Sequence, residues 1–153
     1  MKITKSRSIL SIIVMILPAF LNAQVQYSNY RTLIQRMDAM AKQYPGLCTA
    51  ASIAKTDGGK DVMVLTIGTG DRDNKPGIAL AACTDGSYIL GRELALGFAG
   101  TLLKEASSPE IKTLLEKVTF YVFPDVSPDA TEQYFQNIRY ERSTNARTVD
   151  EDR

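Results

Sequence analysis

An apolar run over residues 77–83, G-I-A-L-A-A-C, constrains the fold more than any other feature of the sequence. A run of this kind is typical of a strand that is buried on both faces of a sheet. Residues 118–123, V-T-F-Y-V-F, predict a second strand, and helical patterns lie between the two. Because a strand–helix–strand unit places both strands in one sheet, the sequence predicts an α/β protein.

Two more strands and a helix are predicted before this unit. Residues 47–53 and 62–67 flank the turn sequence T-D-G-G-K, which is typical of a β-hairpin. A helix is expected from Ser28 or Asn29 to about Gln43, with apolar residues at helical spacing. Together these elements predict a mixed sheet with helices on both faces.

Two further helices are predicted between the apolar strands. The first covers residues 88–105 after the turn at 84–87, and the second starts at Ser108-Pro109-Glu110 and ends near Lys117. The side chains expected on the inner side of the first helix are Leu90, Leu94, Phe98, Leu102 and Leu103. After Pro124 the pattern becomes irregular and polar, and we expect the chain to be an N-terminal fragment of a longer protein.

The N-terminal segment has the layout of a secretory signal peptide. Lys2, Lys5 and Arg7 precede an apolar stretch over residues 9–17 that is too short to span a bilayer stably. The sequence therefore predicts a signal peptide over residues 1–23, cut after Ala23, and export of residues 24–153 to the periplasm or outside. An uncleaved N-terminal anchor is the alternative.

Charge argues against a nucleic-acid partner. The chain has 18 Lys and Arg against 17 Asp and Glu, and removal of the predicted signal leaves 15 against 17. A net charge of about −2 offers no basic surplus for phosphates. No second long apolar run follows, so no membrane segment is expected after signal removal.

The two cysteines, Cys48 and Cys83, lie in predicted strand regions. An exported chain can oxidise such a pair, but buried free thiols fit the same positions. Both alternatives stay open.

Several segments in their order resemble the zinc metallocarboxypeptidases of the carboxypeptidase A type. They are the stretch 44–67 with its hairpin, K-P-G-I-A-L-A-A-C-T-D-G-S-Y-I-L-G-R-E-L-A-L over 75–96, F-P-D-V-S-P-D-A over 123–130, and R-Y-E-R-S-T-N-A-R over 139–147. The resemblance covers nearly all of the mature chain. It implies a carboxypeptidase A-like phosphorylase/hydrolase-type fold, incomplete here, and a peptide or protein C-terminus as the substrate.

The resemblance also implies a zinc site after the buried strand. With Gly86 and Gly91 aligned to the family loop, Asp85 stands where the family has a His ligand, and Tyr88 stands where it has a Glu ligand. The chain contains no His at all. A carboxylate can donate to zinc, but a neutral phenol is a poor ligand. Glu93, further along the same helix, is expected to be solvated or paired rather than a ligand.

The arginine-rich stretch fits the family better. Its resemblance implies that Arg142 stabilises the oxyanion of the transition state, for which a rigid and permanently charged guanidinium is suited. Arg139, Asn145 and Arg147 are the implied contacts of a substrate carboxylate. The alternative is a loop of solvated arginines. We expect this stretch and the turn around Gly86 to lie side by side at one rim of the sheet.

Asp150 and Asp152 begin a pattern that can start a calcium loop, but the sequence favours a solvated acidic tail. Three functions are therefore open. The first is an exported zinc-dependent carboxypeptidase that uses a metal-activated water. The second is a peptide- or glycan-binding module that has lost its zinc site, and the third is a non-functional fragment.

Overall fold

The computed structural model describes residues 27–136 and 143–145. Several sequence predictions lie outside these residues, namely the signal peptide at 1–23, Arg139, Arg142, Arg147, Asp150 and Asp152. Within the part described, no helix has the length and apolar character needed to cross a membrane.

The first helix, α1, spans Tyr30–Gln43 and confirms the predicted helix. Asn29 is its N-cap, because its side-chain oxygen accepts a hydrogen bond from the Thr32 N–H at 2.9 Å. Leu33 and Met37 are buried on the predicted apolar face. After the helix, Gly46 adopts a φ of +80°, which glycine accepts without strain.

Four strands form one mixed sheet in the order β1-β2-β4-β3. β1 (Cys48–Lys55) and β2 (Asp61–Ile67) form the predicted antiparallel hairpin, and β2 also pairs antiparallel with β4 (Thr119–Phe123). β3 (Gly77–Ala81) pairs parallel with β4. The predicted α/β class with a mixed sheet is confirmed.

The prediction that β3 is buried on both faces is wrong for the described residues. Most of β3 is exposed, and the Ile78 side chain is exposed as well. Among the described strands, β3 has a neighbour only in β4, so it lies at an edge. An apolar run indicates that burial of the strand is favourable, but a strand is buried only where other elements cover it.

The second helix, α2, spans Leu90–Lys104, and its inner face differs from the prediction. Leu90, Leu94 and Phe98 are exposed, whereas Leu102 and Leu103 are buried as predicted. The helix is apolar on two stripes, and the sheet contacts the one that contains the small residues Ala95 and Ala99. Small side chains let the helix approach closely, a preference that periodicity alone does not reveal.

The third helix, α3, spans Pro109–Lys117 and begins as predicted, with the Ser108 hydroxyl accepting from the Ile111 N–H. Residues 128–135, which the sequence left irregular, form a short helix α4 (Pro128–Glu132) and a 3₁₀ turn (Gln133–Phe135). Pro128 in the first turn of α4 is the local signal for this helix.

The core joins α1, α2 and α3 to one side of the sheet. Leu65 pairs with Val122 and Ile67 pairs with Phe120, so these four side chains share a face. The buried cluster consists of Leu33, Met37, Cys48, Leu65, Ile67, Ala95, Leu96, Ala99, Leu102, Leu103, Leu115, Phe120 and Val122. Cys48 belongs to this core, and Cys83 is buried near the end of β3. Both are free thiols, so the disulfide alternative does not hold.

Candidate functional site at the carboxyl end of the parallel strands

The segments that follow β3 and β4 meet because the two strands are parallel. The Ala82 N–H donates to the Phe123 carbonyl at 2.8 Å, and the Val126 N–H donates to the Ala82 carbonyl at 3.1 Å. Ligands of open α/β sheets collect at this end of the strands. Residues 84–88, 125–131 and 143–145 lie there and are called the rim below.

Backbone contacts hold the three parts of the rim together. The Gly86 N–H donates to the Ser143 carbonyl at 3.0 Å. The Ser127 hydroxyl donates to the Thr84 carbonyl at 3.3 Å. The described part of the arginine-rich stretch, residues 143–145, therefore lies beside the turn around Gly86, as expected from the sequence.

Asp85 is held inside its own turn. One oxygen of its carboxylate accepts from the Ser87 N–H at 2.9 Å and from the Ser87 hydroxyl at 2.7 Å. The hydrogen bond from the Ser87 N–H, that from the Ser87 hydroxyl and a smaller contribution from the Ser143 side chain lower the pKa of Asp85 below its usual value. The carboxylate thus stabilises the turn, which is a common role of Asp before Gly.

Tyr88, at the position of the family's Glu ligand, lies at the surface. Its side chain is 70% exposed, because α2 begins two residues later and Ile89 takes the buried position. The Tyr88 carbonyl accepts from the Cys83 thiol at 3.4 Å. A solvent-exposed neutral phenol does not add a donor to a zinc site beside Asp85.

The residues present do not fit a zinc ion. The sequence has no His, and across residues 27–136 and 143–145 no group of three or more His, Cys, Asp or Glu is arranged to hold a metal. Zinc in a hydrolase needs about three protein ligands and one open position. Asp85 alone leaves that donor set unfilled.

Asn145 contacts the protein backbone from within the rim. Its side-chain N–H donates to the Val126 carbonyl at 3.1 Å, and its oxygen accepts from the Asp129 N–H at 3.1 Å. These two bonds fix the end of the 143–145 segment against α4. Arg139, Arg142 and Arg147 lie outside the described residues.

Arg92 and Asp125 form a buried ion pair under the rim that sequence reasoning missed. The Arg92 side chain is 1% exposed, and one of its nitrogens donates to the Asp125 carboxylate and to the Thr131 hydroxyl. Its other terminal nitrogen donates to the Ser28 carbonyl. The signal for this pair was an arginine within the buried stripe of α2, opposite an aspartate at the end of β4.

Asp125 also binds two other residues of the rim, Ser127 and Thr131. The Thr131 hydroxyl donates at 2.7 Å to the carboxylate oxygen that also binds Arg92, and the other oxygen accepts from the Ser127 N–H at 3.0 Å. Asp125 therefore ties the N-cap residue of α4, Ser127, and Thr131 within α4 to the end of β4. Among the described residues, all of these buried polar atoms except the Arg92 Nε have a hydrogen-bond partner, and such a network gives a rigid local structure.

Asp129 ties the rim to the hairpin of β1 and β2. Its buried carboxylate accepts from the Thr56 hydroxyl at 3.0 Å, the Gly58 N–H at 3.1 Å and the Lys60 ammonium at 3.4 Å. Of the two states expected for Glu93, solvated or paired, the structure shows the paired one, since Glu93 accepts from Arg36 at 2.5 Å.

Cys83 makes the backbone turn out of β3. Its φ of +52° lies in the left-handed region, which costs free energy for a residue other than glycine. Burial raises the pKa of its thiol to about 11, and the nearby Asp125 carboxylate acts in the same direction. The thiol is therefore neutral and unreactive at neutral pH.

The family model described as zinc carboxypeptidase matches residues 33–153. Carboxypeptidase M of Mus musculus is 25% identical over 122 residues, which cover 77% of this chain and 28% of the relative. Carboxypeptidase B of Astacus astacus is 27% identical over 124 residues, which cover 80% of this chain and 39% of the relative. The chain thus spans less than half the length of these relatives.

Solved structures share the fold at low sequence identity. Carboxypeptidase A from Helicoverpa armigera superposes with a TM-score of 0.72 at 17% identity, over 94% of this chain and 37% of the other. Bovine thrombin-activatable fibrinolysis inhibitor, in complex with tick carboxypeptidase inhibitor, gives a TM-score of 0.68 at 19% identity, over 83% and 39%. Because the family model matches residues 33–153, which make up most of this chain, the chain belongs to the zinc carboxypeptidase family.

Proposed function

We propose that this chain belongs to an exported, non-catalytic carboxypeptidase-like protein that binds the C-terminus of peptides at the rim. The proposal rests on the contacts of Asp85 and the exposure of Tyr88, the two residues at the positions where the family has zinc ligands. The Asp85 carboxylate is hydrogen-bonded to Ser87 within its own turn, and Tyr88 is exposed. Family membership supports a peptide as the partner.

The arginines Arg139, Arg142 and Arg147 are the proposed contacts of the peptide carboxylate. Guanidinium groups bind carboxylates through paired hydrogen bonds, and they do so without a metal. Asn145 positions this stretch through its bonds to Val126 and Asp129. The predicted signal peptide over residues 1–23 supports export, with the mature protein acting in the periplasm or outside the cell.

Zinc-dependent removal of C-terminal residues is the second candidate function. The match of residues 33–153 to a family described as zinc carboxypeptidase favours it. In that case the family's later His ligand and its general-base Glu would lie outside residues 33–153, and Asp85 would be the ligand that this chain contributes. A bound zinc would then supply a Lewis acid and an activated water.

Paired peptides test the first proposal. Tripeptides that end in Phe, Lys or Glu are titrated as free acids and as C-terminal amides, with and without EDTA. We expect at least one free acid to bind about tenfold more tightly than its amide, without effect of EDTA. Arg142→Gln and Arg147→Gln should remove this difference, whereas Arg31→Gln, which alters an exposed arginine of α1, should preserve it.

Two results contradict the proposal. Equal binding of acid and amide shows that no carboxylate site exists at the rim. One bound zinc per chain that is lost in Asp85→Ala, together with release of the C-terminal residue from the peptides, establishes the hydrolase instead.

A further inference from the structure

A cavity of about 550 Å³ lies between the start of α1 and the 3₁₀ turn, away from the residues of the rim. This volume falls in the range of sites that hold small molecules, roughly 300–1,000 Å³. The cavity is lined chiefly by Tyr27, Asn29, Thr32, Arg36, Tyr134 and Phe135.

Aromatic rings form one wall of the cavity. The Tyr27 and Tyr134 rings meet edge to face with centroids 6.2 Å apart, and Tyr134 and Phe135 do so at 5.4 Å. Rings held edge to face support one another and keep fixed orientations. Behind this wall, the buried guanidinium of Arg92 lies 6.0 Å from the centre of the Phe135 ring.

Polar groups of α1 and of its N-cap also line the cavity. Arg36 uses one terminal nitrogen for Glu93 and Ser28, and its other nitrogens make no hydrogen bond to a described residue. The Asn29 side chain uses its oxygen as the helix cap, which leaves its amide N–H groups for another acceptor. The Thr32 hydroxyl adds a group that both donates and accepts.

The charges around the cavity are already paired. Arg36 donates to Glu93, and Arg92 donates to Asp125. Burial alone would raise the pKa of Glu93, but the hydrogen bonds from Arg36 and Ser28 lower it, so this carboxylate stays ionised. Glu132 accepts from the Tyr30 N–H at the same end of α1. The charged residue of the lining, Arg36, is already paired with Glu93, so the lining favours a neutral ligand.

We propose that this cavity binds a neutral pyranose unit of a glycan. A pyranose has apolar C–H faces that stack on aromatic rings, and hydroxyls that accept from Arg36 and Asn29 and exchange hydrogen bonds with Thr32. Aromatic rings together with a few fixed polar groups in one cavity suit such a ligand. The proposal is independent of the rim and of any peptide that the rim binds.

Chitotriose, cellotriose and maltotriose serve as probes, titrated into ¹⁵N-labelled protein while backbone amide shifts are followed. We expect at least one to bind with a Kd of about 0.1–10 mM, as is usual for small polar ligands with few contacts. The shifts should include the amides of Thr32 and Phe135.

Substitutions locate the site. Thr32→Val keeps the shape but removes the hydroxyl, and we expect about fivefold weaker binding; Tyr134→Ala should weaken it more than tenfold. Phe98→Ala is the matched control, since Phe98 is 37% exposed and Tyr134 is 38% exposed, and Phe98 lies on α2 outside the cavity. It should leave the Kd within about twofold.

The proposal fails if none of the three neutral probes binds at 20 mM (about the practical limit for weak ligands). It also fails if binding is unchanged in Thr32→Val and Tyr134→Ala. Tighter binding of tri-galacturonic acid, or of N-acetyltyrosinamide, than of every neutral sugar would overturn the ligand class.

Discussion

Arg92 and Asp125 show how single residues decide the local structure of the rim. Both side chains are fully buried, and together they contact Ser28, Ser127 and Thr131. The sequence placed an arginine and an aspartate in apolar surroundings but did not indicate that they meet. Such a pair forms only when α2 and the end of β4 are packed together.

Removal of one partner should destabilise the fold strongly. Asp125→Asn keeps the shape but leaves the Arg92 charge buried without a counterion, and we expect a loss of about 3–5 kcal/mol in the free energy of unfolding. Urea denaturation measures this. Asp61→Asn is the control, since it breaks the exposed pair with Lys55 and should shift the midpoint far less. Equal shifts would contradict this assignment.

The two buried thiols predict a dependence of stability on alkaline pH. Burial raises the pKa of both Cys48 and Cys83 from 9.0 to about 11. A raised pKa means that the folded state keeps a proton which the unfolded state loses, so stability should fall as pH rises from 9 to 11. Denaturation midpoints at pH 8, 9.5 and 11 check this. In Cys48→Ala the fall should be smaller, and an unchanged fall would assign it to other groups.

At the scale of secondary structure, the sequence predicted the order and type of the long elements. Turn residues and capping residues mark their ends, and these signals are local. What the sequence did not predict was the face of α2 that turns inward, because α2 carries two apolar stripes. It also missed α4, which is held by Asp125, Asn145 and hairpin contacts to Asp129.

Gly97 on α2 offers a test of which helix face is free. A β-carbon placed there would meet no atom within 4 Å. Gly97→Ala should therefore stabilise the protein by about 0.5–1 kcal/mol through helix propensity and a less disordered unfolded chain. Thermal and urea unfolding measure the gain.

Gly58 supplies the opposite case for comparison. A β-carbon at Gly58 would lie 2.3 Å from an Asp129 carboxylate oxygen, so one of the two must move. Gly58→Ala should cost about 1–3 kcal/mol through this overlap and the loss of the turn contact. A destabilised Gly97→Ala variant would show that α2 packs with the other face inward.

At the scale of the whole molecule, the described part exposes large apolar side chains on α2 and on the edge strand β3. Leu90, Leu94 and Phe98 of α2 are exposed, as is Ile78 on the edge strand β3. Exposed apolar patches and unpaired strand edges favour association between molecules. The chain spans 24% to 39% of the length of its curated carboxypeptidase relatives.

We therefore expect the chain to self-associate at high concentration through these side chains. Leu94→Glu, at a side chain that is 65% exposed, should raise the concentration at which light scattering first detects oligomers and should reduce binding of an apolar dye. Stability should change little. Leu96→Glu is the matched contrast, because Leu96 is fully buried and its replacement by a charge should unfold the protein. No effect of Leu94→Glu on association would show that another surface is responsible.

The sequence by itself determined the α/β class and the order of the elements. It also determined that the turn around Gly86 lies beside the segment before Arg147. These follow from periodicity, turn chemistry and the rule that parallel strands end together, all of which depend on short stretches of chain. Only the tertiary structure decided that Asp85 binds Ser87, that Tyr88 faces solvent and that Arg92 is buried against Asp125. Those outcomes depend on which side chains meet across the fold. Residues that are far apart in the sequence make these contacts, and a local sequence pattern does not predict them.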